Sequence, residues 1–223
     1  MRTCWLSHRG RSSCILFLAG WGMDPEPFRS IPAQNHDLLM AWDYREIDPT
    51  PLRELSRSHT SLHLVAWSMG VWVAGRLPED VQDCFASAVA VNGTPHPVDD
   101  RRGIPVRAFD AMIRDFSPDV LEDFYRSMFE DEEETARFLD HLPQRSAASV
   151  HAELVALRRM YERFGPGRDI FTRRLVGARD RIFPARSQLR SWGRDSCTTI
   201  TGGHFPFYRL PSWDVLVEEE AWR

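Results

Sequence analysis

Short apolar runs that alternate with longer helical patterns are the feature that most constrains the fold of this chain. Five runs are centred on apolar residues and have the length of single strands. They are residues 14–20, 36–44, 62–67, 85–93 and 171–180, followed by a weaker sixth run at 197–203. Strands that are apolar on both faces are typical of a parallel sheet covered by helices on both sides. The order of elements predicts an α/β fold with a mostly parallel, doubly wound sheet.

A block of amphipathic helices is predicted between the fourth and fifth apolar runs in chain order, before the last two strands. Apolar residues such as Phe109, Met112 and Phe116 recur there at spacings of three and four, and Pro118 and Pro143 punctuate the pattern. Such an insertion predicts a helical cap over the carboxyl edge of the sheet. We therefore predict a single domain, 1–223, with a core of about 1–96 and 168–223 and a cap of about 97–167.

Composition excludes several classes of function. A chain of 223 residues supports one compact domain, and its net charge of −4 shows no overall bias toward nucleic acid or membranes. All 28 basic residues are arginine, which excludes a lysine Schiff base or a P-loop lysine. This bias is compatible with anionic partners, but codon usage explains it equally well.

Cysteine usage and hydropathy point to a cytoplasmic protein. The four cysteines are widely spaced and form no CxxC motif, so we expect reduced thiols and no metal site. No segment approaches the about 20 apolar residues that span a bilayer, and the first residues lack the apolar region of a signal peptide. We predict a monomer that uses no cofactor.

The stretch LVAWSMGVWVA places Ser68 between Ala66 and Gly70, directly after one apolar run and before another. A strand followed by small-x-Ser-x-Gly and a helix is the context in which a serine is exposed on a strained turn. The flanking residues are small because larger side chains would collide with neighbouring backbone. The pentapeptide alone leaves two interpretations open, a nucleophile and a serine that caps a helix.

A glycine-flanked turn follows the first strong strand, in the stretch FLAGWGMD. Such a turn lets a backbone N–H approach a site at the edge of the sheet, as the oxyanion loop of serine hydrolases does. The two oxyanion donors would be the N–H groups of Trp21 and Met69. An ordinary turn with a core tryptophan is the alternative.

Two further side chains follow late strands. Asp180 is the last residue of the fifth run, and His204 follows the Gly-Gly turn that ends the sixth. The chain order Ser68, Asp180, His204 is that of a nucleophile, an orienting acid and a general base in α/β hydrolases. The alternative for Asp180 is a turn aspartate paired with Arg179 or Arg181.

Several of these stretches together resemble one family. LAGWG, HDLLMAWDY, LVAWSMGVWVA, AVNGT, RDRIF and GGHFPF, in this order over about residues 14–213, closely resemble the BioG family. Its members are compact α/β hydrolases that cleave the methyl ester of pimeloyl-[acyl-carrier protein] in biotin synthesis. The resemblance implies an α/β-hydrolase fold, Ser68 as nucleophile, His204 as base and Asp180 as acid. It also implies an acyl carrier protein as partner.

The implied substrate makes two further demands. An apolar channel must carry the acyl chain, and Trp21 and Trp67 are the expected walls. Phe109, Met112 and Phe116 either add to this channel or pack in the core. A carrier protein is acidic, so a cap surface of arginines is expected to receive it. The candidates, unless they simply lie on solvated helix faces, are Arg101, Arg102, Arg107, Arg114, Arg158 and Arg159.

Two rival functions stay open from the sequence. The same three residues could serve another acyl-chain esterase or a thioesterase. A binding protein that shares the fold without catalysis would be expected to lack one of these residues.

Overall fold

The computed structural model describes residues 1–218, and the last part of the predicted domain, 219–223, lies outside the described residues. Within the described part, seven strands form one sheet in the order β1-β3-β2-β4-β5-β6-β7. The strands are β1 (Arg2–Ser7), β2 (Ser13–Leu18), β3 (Asp37–Trp42), β4 (Ser61–Trp67), β5 (Phe85–Val91), β6 (Arg173–Gly177) and β7 (Thr198–Ile200). All pairings are parallel except the one between β1 and β3.

The six strands expected from the apolar runs are confirmed, and β1 was missed. The four central strands are largely buried, which explains why the runs that encode them are nearly continuous in apolar residues. β1 lies at the edge of the sheet, mixes polar and apolar residues and is only partly buried. Its sequence, RTCWLS, therefore carries no strong strand signal.

Helices flank the sheet and also form the predicted insertion. Among residues 1–218 the α-helices are α1 (Thr50–Ser58), α2 (Met69–Ala74), α3 (Glu79–Gln82), α4 (Val106–Arg114), α5 (Pro118–Ser127), α6 (Glu132–Leu139), α7 (Ala147–Phe164) and α8 (Ala185–Trp192). Helices α4 to α7 lie between β5 and β6, as the fold prediction requires, and we call them the cap. None of the helices in the described range has the length and apolar character to cross a bilayer.

An aromatic cluster packs the C-terminal segment against the sheet. Phe17 of β2 lies 4.6 Å from Trp213 and 5.3 Å from Phe207, measured between ring centroids. Trp67, at the end of β4, meets Phe207 edge-on at 5.5 Å. Such pairs contribute about 0.5–1.5 kcal/mol each beyond the area they bury. The cluster fixes the segment that follows the last strand.

Asp214 anchors the same segment to the loop before β3. Its buried carboxylate accepts the backbone N–H groups of Gln34 and Asn35, each at 2.8 Å, and contacts His36 Nδ1 at 2.9 Å. Burial by itself raises the pKa of this carboxyl, but the hydrogen bonds from His36 and the two backbone groups outweigh it and lower the pKa to about 2. Folding therefore favours the charged form of Asp214.

We expect Asp214→Asn to lower the free energy of unfolding at pH 7 by about 1–2 kcal/mol, because two backbone donors lose a charged acceptor. The folded-state pKa lies below the ordinary value, so this stabilisation is complete above about pH 4 and is lost as the pH falls through about 2. Urea titration at several pH values measures the effect. Asp195→Asn, at an exposed position, is the matched control, and an equal loss in both variants would contradict the prediction.

Candidate active site

Ser68 occupies a strained turn between β4 and α2. Its φ is +59°, a left-handed conformation that costs a non-glycine residue about 1–3 kcal/mol and persists only where the surroundings enforce it. The turn is tightly packed against β2. A Cβ on Gly70, two residues after Ser68, would lie only 2.2 Å from the carbonyl oxygen of Leu18, so only glycine lets α2 approach β2 this closely. Ser68 precedes α2 but makes no side-chain capping hydrogen bond, which removes the capping interpretation.

The side chains of Ser68, His204 and Asp180 form one hydrogen-bonded chain. Ser68 Oγ lies 2.9 Å from His204 Nε2, and His204 Nδ1 lies 2.9 Å from Asp180 Oδ2. All three residues are buried. Because a carboxylate only accepts, we assign the imidazole hydrogen to Nδ1, which leaves Nε2 to accept the serine hydroxyl. The arrangement can remove a proton from Ser68 and hold it on an imidazole beside a negative charge.

Asp180 is held by neighbours on its C-terminal side. Its Oδ1 accepts the backbone N–H groups of Ile182 and Phe183, both at 2.9 Å, and its Oδ2 accepts Gln188 Nε2 at 2.9 Å. Arg179 pairs instead with Glu130 at 3.1 Å, so the paired-turn alternative for Asp180 does not describe the structure. Sequence reasoning missed Gln188, because nothing local distinguishes it from any polar residue of α8.

The backbone of His204 is fixed by three segments. Trp67 Nε1 and Asn92 Nδ2 both donate to the His204 carbonyl, at 2.8 and 2.9 Å, and the His204 N–H donates to the carbonyl of Met128 at 2.9 Å. Asn92, at φ +46°, also accepts the N–H of Gly177. The imidazole position is therefore set by β4, by β5 and by the cap.

The prediction that Trp67 lines the acyl channel is wrong. Its indole is 1% exposed and packs against Phe205 and Phe207, with its ring centroid 5.1 Å from that of His204. Trp67 is the last residue of β4, and its indole lies in the C-terminal aromatic cluster and not in the cavity wall. Its role in the site is the hydrogen bond to the His204 carbonyl.

A cavity of about 150 Å³ lies between the cap and Ser68. Trp21 and Met69, beside Ser68, and Phe109 and Met112 of α4 line it, as expected. The lining residues that sequence reasoning did not assign are Ile104, Ala108, Phe124, Leu154, Arg181 and Ile182. Most lining side chains are apolar, so the cavity suits an aliphatic chain.

Phe116 is not among the lining residues, contrary to one of the two expectations for it. It follows the end of α4, where its ring stacks on His151 at 4.7 Å and meets Trp21 edge-on at 6.4 Å. It therefore supports the back of Trp21, in agreement with the core-packing alternative.

Trp21 and Met69 lie beside Ser68 in the cavity wall, and the backbone N–H group of each is a candidate oxyanion donor. Within residues 1–218 neither N–H donates to a protein acceptor. Two unused donors beside a serine oxygen are what an oxyanion requires.

The six candidate docking arginines fall into two groups. Three form ion pairs with acidic cap neighbours at N–O distances of 2.6–3.0 Å, namely Arg102, Arg114 and Arg158. The other three are exposed, namely Arg101, Arg107 and Arg159. Among residues 1–218, no carboxylate forms an ion pair with their guanidinium groups. Only the second group presents uncompensated positive charge.

One cluster in the described range has the residue types of a metal site, formed by His36, Asp214 and Glu218 within 4.8 Å of one another. The Asp214 oxygens already accept backbone N–H groups, so this cluster is accounted for as the structural anchor described above.

Comparison with known proteins places the chain in a family. The model of the family described as pimeloyl-ACP methyl esterase BioG matches residues 1–216. The chain belongs to this family, whose members are hydrolases with the α/β-hydrolase fold.

Individual relatives agree with this assignment. The structure of BioG from Haemophilus influenzae has 31% sequence identity and a TM-score of 0.85, with 98% of this chain and 100% of that chain covered. A malonyl-[acyl-carrier protein] O-methyltransferase of Bacteroides fragilis is 36% identical over 198 residues, 87% of this chain, but the chain spans only 40% of that relative's length. An α/β-hydrolase-fold protein from Burkholderia ambifaria, at 13% identity, 94% and 89% coverage and a TM-score of 0.59, supports the fold alone.

We expect Ser68 to react with an alkyl fluorophosphonate, which modifies serines whose proton is removed by a neighbouring base. Mass spectrometry should locate one adduct on Ser68, and Ser68→Ala should abolish it. His204→Ala should slow labelling by about 100-fold or more. Ser187→Ala, at a buried serine of α8 outside this hydrogen-bonded chain, is the control. Labelling that persists at the wild-type rate in His204→Ala would contradict the assignment of the base.

Proposed function

We propose that this chain is a serine carboxylesterase that hydrolyses the methyl ester of pimeloyl-[acyl-carrier protein] to pimeloyl-[acyl-carrier protein] and methanol. The observation that carries the proposal is the hydrogen-bonded chain of Ser68, His204 and Asp180, which opens onto an apolar cavity in a member of the BioG family.

Acylation begins at Ser68. His204 Nε2 accepts the hydroxyl proton while Ser68 Oγ attacks the carbonyl carbon of the methyl ester, and Asp180 stabilises the imidazolium that forms. The N–H groups of Trp21 and Met69 bind the negative oxygen of the tetrahedral intermediate. Each donor contributes about 3 kcal/mol to lowering the barrier.

The remaining steps return the enzyme to its first state. His204 donates its proton to the methoxy oxygen as the carbon–oxygen bond breaks, and methanol leaves. A water molecule then loses a proton to His204 and attacks the pimeloyl ester of Ser68. Collapse of the second intermediate, with return of that proton to Ser68 Oγ, releases the carboxylic acid, which loses its remaining proton to solvent.

The lining of the cavity supports a neutral ester as substrate. An uncharged methyl ester on a methylene chain enters an apolar cavity without loss of charge hydration, whereas a carboxylate enters only at a cost of several kcal/mol. The cavity therefore favours binding of the ester and release of the acid. Arg181, the charged residue among the lining residues, is exposed and gives the departing carboxylate a cationic neighbour.

The name of the Bacteroides relative, of which this chain spans 40%, is compatible with methyl ester chemistry. It is the name of an enzyme that places a methyl group on an oxygen of malonyl-[acyl-carrier protein]. An esterase that removes a methyl group from a carrier-bound acyl chain is the chemical complement of that activity.

We expect purified protein to convert pimeloyl-[acyl-carrier protein] methyl ester to the free acid, seen by mass spectrometry of the intact carrier as the loss of one CH₂. Ser68→Ala should lower the rate at least about 10⁴-fold because the nucleophile is absent, and Asp180→Asn should cause a smaller loss. Cleavage of the thioester, seen as a carrier without its acyl chain, would instead identify a thioesterase. Turnover of simple esters without turnover of this substrate would retain the serine hydrolase and reject the substrate.

We also expect the unpaired cap arginines to bind the acidic carrier protein. Arg107→Glu should raise KM for the carrier-bound ester by about tenfold, because one favourable charge contact becomes repulsive. The KM for dimethyl pimelate, which lacks the carrier, should not change. Arg11→Glu, at an exposed position in the loop before β2, is the matched control. Equal KM values for the carrier-bound ester in wild type and Arg107→Glu would remove this residue from the docking surface.

A further inference from the structure

Glu153 of α7 is a buried carboxylate that the proposed chemical steps do not use. Its side chain is 0% exposed. Its Oε1 accepts the backbone N–H of Tyr44 at 2.9 Å, and its Oε2 accepts the backbone N–H of Gly22 at 3.2 Å. Arg145 donates to the same Oε2 at 2.5 Å. A glutamate on a helix is usually exposed, so full burial against two loop N–H groups calls for a specific explanation.

Gly22 belongs to the turn 20–24, which we call the oxyanion loop because Trp21 lies in it. Gly22 has φ +79°, and a Cβ at this position would lie 3.3 Å from Val150 Cγ1. Its neighbour Trp21 donates from Nε1 to the Val150 carbonyl of α7 at 2.8 Å. Tyr125 of α5 donates its hydroxyl to the Gly22 carbonyl at 3.1 Å. The cap thus holds the loop at Trp21 and at Gly22, next to the two peptide groups that carry their N–H groups.

The charge of Glu153 is balanced inside the protein. Arg145, with a side chain 4% exposed, also lies 3.4 Å from Asp43 and donates to the carbonyl of Met23 at 3.3 Å. Burial raises the pKa of Glu153, while Arg145 and the hydrogen bonds from Tyr44 and Gly22 oppose that shift. Such a network adds little net stability compared with apolar packing of the same volume. Its position against the oxyanion loop points to a role in geometry.

We propose that Glu153 is a positioning residue for the oxyanion loop, fixing Gly22 so that the N–H of Trp21 stays directed at the reacting carbonyl oxygen. This inference rests on the proposed function, in which Trp21 is an oxyanion donor. The next residue of α7, Leu154, lines the acyl cavity. The same helix therefore contacts the acyl chain and sets the oxyanion site.

The test compares Glu153→Gln with Glu162→Gln, the same substitution at an exposed position of α7. A glutamine keeps the shape but replaces one acceptor oxygen by an NH₂ group, which cannot accept from the loop N–H or from Arg145. The substrate is a p-nitrophenyl ester of a short acid, and the inhibitor is an alkyl trifluoromethyl ketone. Ser68 Oγ adds to the ketone carbon, its proton passes to His204, and the resulting oxyanion needs the same donors as the transition state.

We expect Glu153→Gln to lower kcat on the order of 10- to 100-fold with KM nearly unchanged, because the lost interaction acts in the transition state. The inhibition constant of the ketone should rise by the same factor. Glu162→Gln should match the wild type in both measurements. A merely structural role would lower the melting temperature without this parallel change, and that result would overturn the proposal.

If Glu153→Gln does not fold, Tyr125→Phe decides the question, since it removes one neutral hydrogen bond to the Gly22 carbonyl. A parallel, several-fold change in kcat and ketone affinity supports the proposal, and wild-type values for both overturn it. Both probes lack the carrier protein, so rejection of the pimeloyl substrate leaves this test intact. Failure of the proposed function itself is recognised separately, by an inactive wild type or a fully active Ser68→Ala.

Discussion

The carbonyl oxygen of His204 is the atom on which the geometry of the site depends. It accepts hydrogen bonds from Trp67 of β4 and from Asn92 at the end of β5, so the two strands next to the Ser68 turn also set the backbone of the histidine. The adjacent N–H is bound by Met128 of the cap. An imidazole that must meet a serine oxygen at 2.9 Å and a carboxylate at 2.9 Å tolerates little backbone movement. Three distant segments supply the required restraint.

Local signals account for what the sequence predicted well. The central strands are buried on both faces, so their sequences are rich in apolar residues. The turn at Ser68 needs small residues where backbone approaches backbone, so Ala66 and Gly70 flank the serine. Each of these two patterns can be recognised within a few residues of the sequence. β1 escaped prediction because an edge strand buries little. The prediction for Trp67 fails because proximity to Ser68 along the chain does not place a side chain in the cavity, and the Trp67 indole packs against Phe205 and Phe207 instead.

Long-range contacts account for what the sequence did not reveal. Gln188 reaches Asp180 from α8, and Glu153 reaches Gly22 over more than a hundred residues. A glutamine or glutamate on a helix has the same local pattern whether its side chain meets water or a buried N–H. Only the packing of α7 onto the loop after β2 distinguishes Glu153 from an exposed neighbour such as Glu162, and that packing has no signature in a single sequence.

The cap does more than cover the cavity. α4 and α7 line it, Met128 after α5 binds the His204 backbone, and Glu153 of α7 binds the oxyanion loop. A cap that opened as a rigid lid would carry the Glu153–Arg145 pair away intact, but it would break the hydrogen bonds from Gly22 and Tyr44 to Glu153. A hydrogen bond to a charged group contributes about 1.5–3 kcal/mol. The buried charges therefore connect the cap to the oxyanion loop, and residues of both core and cap set the geometry of the site.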